Sequence, residues 1–240
     1  MKEQALDLNL ALRAAKEAAS AAAIVIKHYY RNRAEVTFKA DQTPVTQADV
    51  ESELEIKRVL KSYFPEHGYY GEESAIERPN ADFLWLIDPM HRGELVLGVS
   101  SASEFGQIAS AVLGSGAELN GATIKVSDAD QLAQAIVSTG NIKTLSRGPR
   151  WAVLAQLLQS ANRTRGYGDF YHYHLLAQGS LDLVIESDVN ILDIAALTVI
   201  VREAGGVITD LNGAAIALDT TSILAGTPAM HALALRMFTL

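Results

Sequence analysis

Acidic residues at predicted strand ends and helix starts are the features of this sequence that could do chemistry. Glu72 and Glu73 follow a glycine, at which the backbone can turn sharply. Asp88 ends an apolar run, Asp193 opens an apolar helix, and Asp49 lies in the first turn of another helix. Carboxylates at such positions can converge from distant parts of the chain. Several carboxylates with few histidines favour a hard cation such as Mg²⁺ over zinc.

Each of these acids, taken alone, also has a purely structural explanation. Asp49 and Asp193 could complement helix dipoles near helix N-termini. Asp88 precedes a proline and could be a turn residue. The residues by themselves leave both readings open.

The elements that must position the acids follow from the hydrophobic periodicity. It predicts a long amphipathic helix over 6–30 and a second helix over 47–64, with Thr46 as its N-cap. The run 83–88 predicts a buried strand, and two antiparallel strands joined by a loop follow it. Asn120-Gly121 is a hairpin turn signal.

The second half of the chain alternates strands and helices. This predicts an α/β layer after a first half that is more α+β in character. We therefore expect an N-terminal α+β half over 1–128 and a C-terminal α/β half over 129–240, packed as one compact unit.

Composition limits the possible functions. The chain has 240 residues with ordinary hydrophobic and charged fractions, and its net charge of -8 argues against a nucleic-acid or anionic-membrane surface. It contains no cysteine, which excludes disulfides, thiolate metal sites and cysteine nucleophiles. The N-terminus has early acids and helical periodicity unlike a signal peptide, and no segment is long enough to span a bilayer. We expect a cytoplasmic protein.

Three segments carry a resemblance to a known family. They read HGYYGEES (67–74), LWLIDP (84–89) and ILDIAALTVIVREAGGVITDLNG (191–213). Together they resemble the signatures of the inositol monophosphatase superfamily, a group of Mg²⁺-dependent, lithium-sensitive phosphomonoesterases, and the likeness extends over nearly the whole chain. The resemblance implies a layered α-β-α-β-α sandwich of the inositol monophosphatase/fructose-1,6-bisphosphatase type, and a homodimer.

The resemblance also implies which residues hold the metal. Glu72 would be a metal ligand, Glu73 would help order a metal-bound water, and Asp88 would bridge two metals. Asp193 would bind the second metal and lie near the substrate. The implied cofactor is two or three Mg²⁺ ions, with Mn²⁺ as a possible replacement.

Other residues acquire water- and substrate-side roles from the same resemblance. Asp49, with Thr46, would belong to the group that orients the attacking water. Glu186 would contact hydroxyl or amino groups of the substrate. Asp169 matches a substrate-side acid of the histidinol-phosphatase-like branch. His172 and His174 are two apart on a predicted helix and point to different faces, so they are expected to be structural or substrate-side rather than metal ligands.

The sequence departs from the family pattern directly after Asp88 and Pro89. The family continues into Ile-Asp-Gly-Thr, which supplies another metal ligand and part of a phosphate cradle, whereas this chain continues as MHRG (90–93). A helix start and a strand, a block of roughly 15–20 residues, are therefore missing. Either the protein lacks the block, or the block belongs to the protein and is absent from this sequence. We favour the second, because a true deletion would leave neighbouring strands unpaired.

The function implied is hydrolysis of a small phosphate monoester by metal-activated water. L-Histidinol phosphate is the first expected substrate and inositol 1-phosphate the second. A non-catalytic phosphate binder is the alternative if the gap after Pro89 is genuine.

Overall fold

The structure is a computed structural model that describes residues 6–32, 36–38, 44–86, 89–91 and 94–239. Side chains are described for 6–29, 46–86 and 94–239. None of the helices in these residues is long and apolar enough to cross a membrane. The helices are α1 (Leu8–Asn32), α2 (Gln47–Tyr63), α3 (Ile142–Leu145), α4 (Trp151–Ser160), α5 (Tyr171–Ala177), α6 (Ile191–Glu203) and α7 (Pro228–Thr239).

The strands form one small pair and three sheets. They are β1 (Val36–Phe38), β2 (Pro44–Thr46), β3 (Gly68–Tyr69), β4 (Phe83–Trp85), β5 (Pro89–His91), β6 (Glu94–Leu95), β7 (Leu97–Ala102), β8 (Gln107–Val112), β9 (Gly116–Leu119), β10 (Ala122–Ile124), β11 (Ile136–Thr139), β12 (Arg163–Arg165), β13 (Leu183–Ser187), β14 (Val207–Thr209) and β15 (Ser222–Gly226). Strands β1 and β2 pair with each other. The sheets have the orders β3-β4-β5-β6, β10-β9-β8-β7 and β12-β11-β13-β15-β14.

These elements stack as five layers. Helices α1 and α2 pack together, and α1 lies on β7 and β8. Helices α5 and α6 lie between this sheet and the C-terminal sheet, and α7 covers the far side of the C-terminal sheet together with α4. Three apolar clusters fill the interfaces between the layers, and the largest surrounds the buried helix α6 and reaches both sheets. The predicted α-β-α-β-α sandwich is confirmed. The boundary near residue 128 stays a prediction.

Several local predictions are confirmed. Helix α2 begins directly after Thr46, its N-cap, and strands β7 and β8 are antiparallel. Asn120 and Gly121 both have positive φ, 51° and 80°, in the turn that joins β9 to β10, as a two-residue hairpin of the favoured type requires. The segment TRGYGD (164–169) predicts a turn. This is wrong in part, because Thr164 and Arg165 belong to an exposed edge strand, β12, that pairs with β11.

The chain after Pro89 forms two short antiparallel strands. β5 pairs with β4 on one side and with β6 on the other, as expected if a turn falls at 92–93. The two turn residues lie outside the part of the chain that the structure describes. In the described part, β7 stands at the end of its own sheet.

Helix α6 approaches the first half of the chain closely at one point. A Cβ built on Gly98 of β7 would lie 2.9 Å from the Cα of Ala196 and closer still to its carbonyl oxygen. Glycine is therefore required for β7 and α6 to touch backbone to backbone. This contact places the N-terminal half of α6 beside the sheet of the first half.

We predict that His174 makes the protein acid-labile. Its side chain is fully buried in α5 with Nε2 2.8 Å from Ser100 Oγ, and burial lowers the pKa of His174 from 6.5 to about 4. As the pH falls from 6.5 to 4 the unfolded chain takes up a proton that the folded chain does not, so the free energy of unfolding falls by about 3 kcal/mol.

Urea unfolding at a series of pH values measures this effect. The His174→Gln variant is expected to lose about 3 kcal/mol of the decrease between pH 6.5 and 4. The rest of the decrease is expected to persist, because burial also lowers the pKa values of His67 and His231. His28→Gln, at an exposed position of α1, is expected to retain the whole decrease. An unchanged acid limb in His174→Gln would contradict the assignment.

Candidate active site

The N-terminus of α2 brings Thr46 and Asp49 together. Asp49 is the third residue of the helix, and its Oδ2 accepts hydrogen bonds from the Thr46 backbone N–H at 2.8 Å and from the Thr46 hydroxyl at 2.9 Å. The carboxylate thus caps the helix and also fixes the position of the hydroxyl. The two residues predicted to act together on the attacking water are therefore direct partners. Their catalytic role stays a prediction.

The segment Gly71–Ser74, here called the acid loop, carries Glu72 and Glu73. Its backbone is anchored by Glu53 of α2, whose Oε2 accepts the Glu73 N–H at 2.7 Å. The Ser74 hydroxyl donates to the other carboxylate oxygen of Glu53. The Glu72 side chain is left at the exposed end of this loop. The loop is thus held by α2 while Glu72 remains accessible.

Lys57, one turn further along α2, completes this anchor. Its Nζ lies 3.2 Å from Glu53 Oε1 and also contacts the Ser74 hydroxyl. Glu53 and Lys57 are only 6% and 2% exposed, so this is a buried ion pair. Sequence analysis missed it, since an acid and a lysine four residues apart on a helix are typical of a solvent-exposed face.

Asp193 occupies the first turn of α6. Asn190 is the N-cap, and its Oδ1 accepts the Leu192 N–H at 2.8 Å. Asp193 Oδ2 accepts the Asn190 N–H, also at 2.8 Å. The reciprocal bonds fix the carboxylate of Asp193 at the end of a buried helix. The structural role considered for Asp193 is therefore real, and it leaves the second carboxylate oxygen for other partners.

Other acids lie around Asp193. Burial is the main cause that raises the pKa of Asp193, the hydrogen bond from Asn190 opposes it, and the negative charges of nearby acids raise it further. Those acids are Glu72, Glu186 and Asp169. Three other predicted site residues, from distant parts of the chain, therefore lie within electrostatic reach of Asp193. Such a gathering is unfavourable unless a cation or a proton offsets it.

Glu186 is the most enclosed member of this group. It lies on β13, only 6% exposed, and its Oε2 is 3.0 Å from His172 Nε2 and accepts the Tyr173 hydroxyl at 2.7 Å. Burial, and secondarily the Glu186 charge, raise the pKa of Tyr173. A Cβ on Gly140 would lie 2.6 Å from Glu186 Cδ, so the glycine makes room for the carboxyl group.

The two histidines of α5 are internal. Nδ1 of His172 is 3.3 Å from Ser138 Oγ, while its Nε2 faces Glu186, and His174 bonds Ser100. The expectation that they are structural or substrate-side agrees with these contacts. Asp169, in contrast, is exposed in the loop before α5, with a positive φ of 45° after Gly168.

The described acids fit Mg²⁺ in type but do not complete a site alone. The charged groups that act on Asp193 are all carboxylates, and carboxylate oxygens are ligands that Mg²⁺ prefers. Across residues 6–86 and 89–239, as far as they are described, no three acidic or histidine side chains are placed to hold one ion. Asp88, the predicted bridging ligand, lies outside the described residues. Its placement stays a prediction.

An apolar cavity of about 280 Å³ opens beside Asp193. Helix α1 lines it with small alanine side chains, β7 and α6 with larger apolar ones, and Trp85 of β4 closes one side. The cavity is therefore lined by β4, which precedes the point at which the sequence departs from the family pattern, and by β7, which follows it.

Comparison with known proteins agrees with this architecture. The model of the inositol monophosphatase family matches residues 7–91 and 90–239. The match is therefore in two parts that meet directly after Pro89. This is where sequence analysis placed the missing block.

Individual relatives cover most of the chain. A histidinol-phosphatase of Chlorobaculum parvum is 30% identical over 245 residues, covering 93% of each chain. This alignment exceeds the 240 residues of the chain, so it contains gaps in this chain. The Nus factor SuhB of Pasteurella multocida is 30% identical over 92% of this chain and 91% of its own.

A solved structure of an inositol monophosphatase from Zymomonas mobilis is 25% identical, with a TM-score of 0.84. The superposition covers 98% of this chain and all of the other. Sequence, fold and gathered carboxylates lead to the same conclusion. The chain belongs to the inositol monophosphatase family, whose members are Mg²⁺-dependent phosphatases of small phosphate monoesters.

Proposed function

We propose that the protein is a Mg²⁺-dependent phosphomonoesterase that hydrolyses L-histidinol phosphate. The observation that carries the proposal is the electrostatic grouping of Glu72, Asp169 and Glu186 around the partly buried Asp193. Four acids around one point repel an anionic phosphate unless cations lie between them. A phosphatase that works through divalent cations has this requirement.

In this proposal Glu72 and Asp193, with Asp88, hold two or three Mg²⁺ ions, or Mn²⁺ in their place. When bound, the metal neutralises phosphate charge and lowers the pKa of a water molecule. Thr46 Oγ1 donates its proton to Asp49 Oδ2 and, in the capping box, accepts the backbone N–H of Asp49. The remaining lone pair of Oγ1 can accept a hydrogen bond from the attacking water in this proposal. Glu73 assists from the acid loop. The water then attacks in line with the leaving alcohol.

Asp169 and Glu186 are the substrate-side acids of the proposal. Histidinol phosphate carries an amino group, which a carboxylate binds by a charge-assisted hydrogen bond. Oε2 of Glu186 already has two partners, His172 and Tyr173. The exposed Asp169 is therefore the better candidate for direct contact with the amino group. The buried Glu186 would contribute negative electrostatic potential without direct contact.

Two alternatives have specific support. The structural likeness to an inositol monophosphatase favours inositol 1-phosphate. The two-part match to the family favours a non-catalytic phosphate binder, if the Asp-Gly-Thr block is truly absent. We further propose a homodimer in the cytoplasm, on the resemblance to family members.

Phosphate release from L-histidinol phosphate and from inositol 1-phosphate, each with Mg²⁺ and with EDTA, separates these functions. We expect Mg²⁺-dependent release with higher kcat/KM for histidinol phosphate. A preference for inositol 1-phosphate would support the first alternative. Absence of release, with calorimetric binding of phosphate and at most one metal equivalent, would overturn the enzymatic proposal.

Intact mass of the purified protein belongs with this assay. A mass well above 25.8 kDa would show that the block is present in the protein.

A further inference from the structure

The residues Glu53 and Lys57 lie deeper than their position on a helix predicts. They follow Asp49 at intervals of four along α2, so the three side chains share one face of the helix. Asp49 ends this face at the N-terminus, where Thr46 joins it. The face therefore carries a proposed water-orienting group at one end and a buried ion pair behind it.

The Glu53–Lys57 ion pair makes its other hydrogen bonds to the acid loop. The Glu53 carboxylate accepts the Glu73 N–H at 2.7 Å and the Ser74 hydroxyl, while Lys57 Nζ, 3.2 Å from Glu53, contacts that same hydroxyl. A Cβ on Gly71 would overlap the Glu53 carboxyl group, so the loop begins in direct contact with it. Glu53 thus touches the residues before and after Glu72.

Stability alone is a poor explanation for such a pair. Removing two charges from water costs several kcal/mol per ion, and apolar replacements of similar volume are often neutral or stabilising. What the pair supplies is a fixed orientation of the acid loop relative to α2. A carboxylate that accepts two donors and a lysine that bridges back leave the loop with one arrangement relative to α2.

We propose that Glu53 and Lys57 are positioning residues for the metal site. They hold the acid loop on α2, and so set the distance from Glu72 and Glu73 to Asp49. The proposal rests on the proposed function, since it assigns the pair to the same site. In this proposal neither residue contacts the substrate or the metal.

The test is the double variant Glu53→Met/Lys57→Met. It removes the acceptor of the Glu73 N–H without leaving one buried charge alone, so the fold is expected to survive. The matched control is Glu55→Met/Arg58→Met, which removes a second ion pair of α2, with N–O distances of 2.8 and 2.7 Å, from its exposed side.

Two measurements are made on the wild type and both variants. Amide hydrogen exchange without metal reports the loop directly, and we expect faster exchange at 72–74 only in Glu53→Met/Lys57→Met. Mn²⁺ binding, followed by the electron paramagnetic resonance of the free ion, is expected to weaken roughly 10- to 100-fold in that variant, as loss of residues that orient metal ligands does. The control is expected to match the wild type in both.

Each result decides one question. Unchanged exchange at 72–74 would overturn the anchoring of the loop. Faster exchange with unchanged Mn²⁺ affinity would make the pair purely structural and overturn its role in the site. A wild type that binds no Mn²⁺ would instead overturn the proposed function, and the exchange data would still test the anchor. Because melting temperature is recorded in parallel, an unfolded variant is recognised, and Ser74→Ala, a milder change, then replaces it with the same expected directions.

Discussion

Asp193→Asn is expected to lower Mg²⁺-dependent phosphate release by at least about 100-fold, the upper range for disturbing a metal site even indirectly. Asparagine keeps an oxygen that can accept the Asn190 N–H, so the cap of α6 is retained. It removes the charge that Glu72, Glu186 and Asp169 surround. The substitution is therefore expected to weaken metal binding and to leave α6 intact.

In the metal-free protein, Asp193→Asn is expected to increase stability, although it lowers activity when Mg²⁺ is present. The folded-state pKa of Asp193 is raised above its unfolded value, so its ionised form opposes folding once the pH exceeds 3.8. Asp193→Asn should therefore raise the melting temperature measured in EDTA at neutral pH, while it abolishes the further rise on adding Mg²⁺.

The control is Asp7→Asn, because Asp7 Oδ1 accepts backbone N–H groups at the start of α1. It should leave both activity and the Mg²⁺ response unchanged. Full activity of Asp193→Asn would remove Asp193 from the metal site.

Gly98→Ala is expected to destabilise the protein by about 1–3 kcal/mol or more, the usual cost of overpacking. The added methyl group would press on the backbone of Ala196, and neither β7 nor α6 can yield there as a flexible side chain would. Helix α6 is buried between two sheets, so a shift spreads to both. Urea unfolding at neutral pH measures the change.

Gly148→Ala is the matched control. The nearest atom to a Cβ there is 3.7 Å away. The same methyl group is expected to be neutral, or to stabilise by about 0.4–1 kcal/mol through the unfolded state. If Gly98→Ala were as stable as this control, the close approach of β7 and α6 would be wrong.

Local signals in the sequence predicted much of the fold. Thr46 at the start of α2 and the Asn120-Gly121 turn are decided by backbone capping and by φ, which a few neighbouring residues determine. The site acids were recognisable for a similar reason. Asp193 lies at the start of a helical pattern and Glu72 follows a glycine, so the local sequence places each acid at the boundary of a secondary-structure element.

The features that sequence analysis missed depend on contacts between distant segments. Glu53 and Lys57 have the spacing of an exposed pair, and only the docking of the acid loop buries them. The enclosure of Glu186 by His172 and Tyr173 depends on the packing of α5 against β13. Periodicity along one segment contains no information about either.

Strands β3 and β4, beside the acid loop, have only two and three residues, whereas β13 and β15 have five residues each. Short strands supply few interstrand hydrogen bonds, so the region around the acid loop is expected to melt before the layer that carries α6. An ion bound by both Glu72 and Asp193 would link the region that unfolds first to the layer that unfolds last. Metal binding would then stabilise both regions together, and the two would be expected to unfold in one cooperative transition.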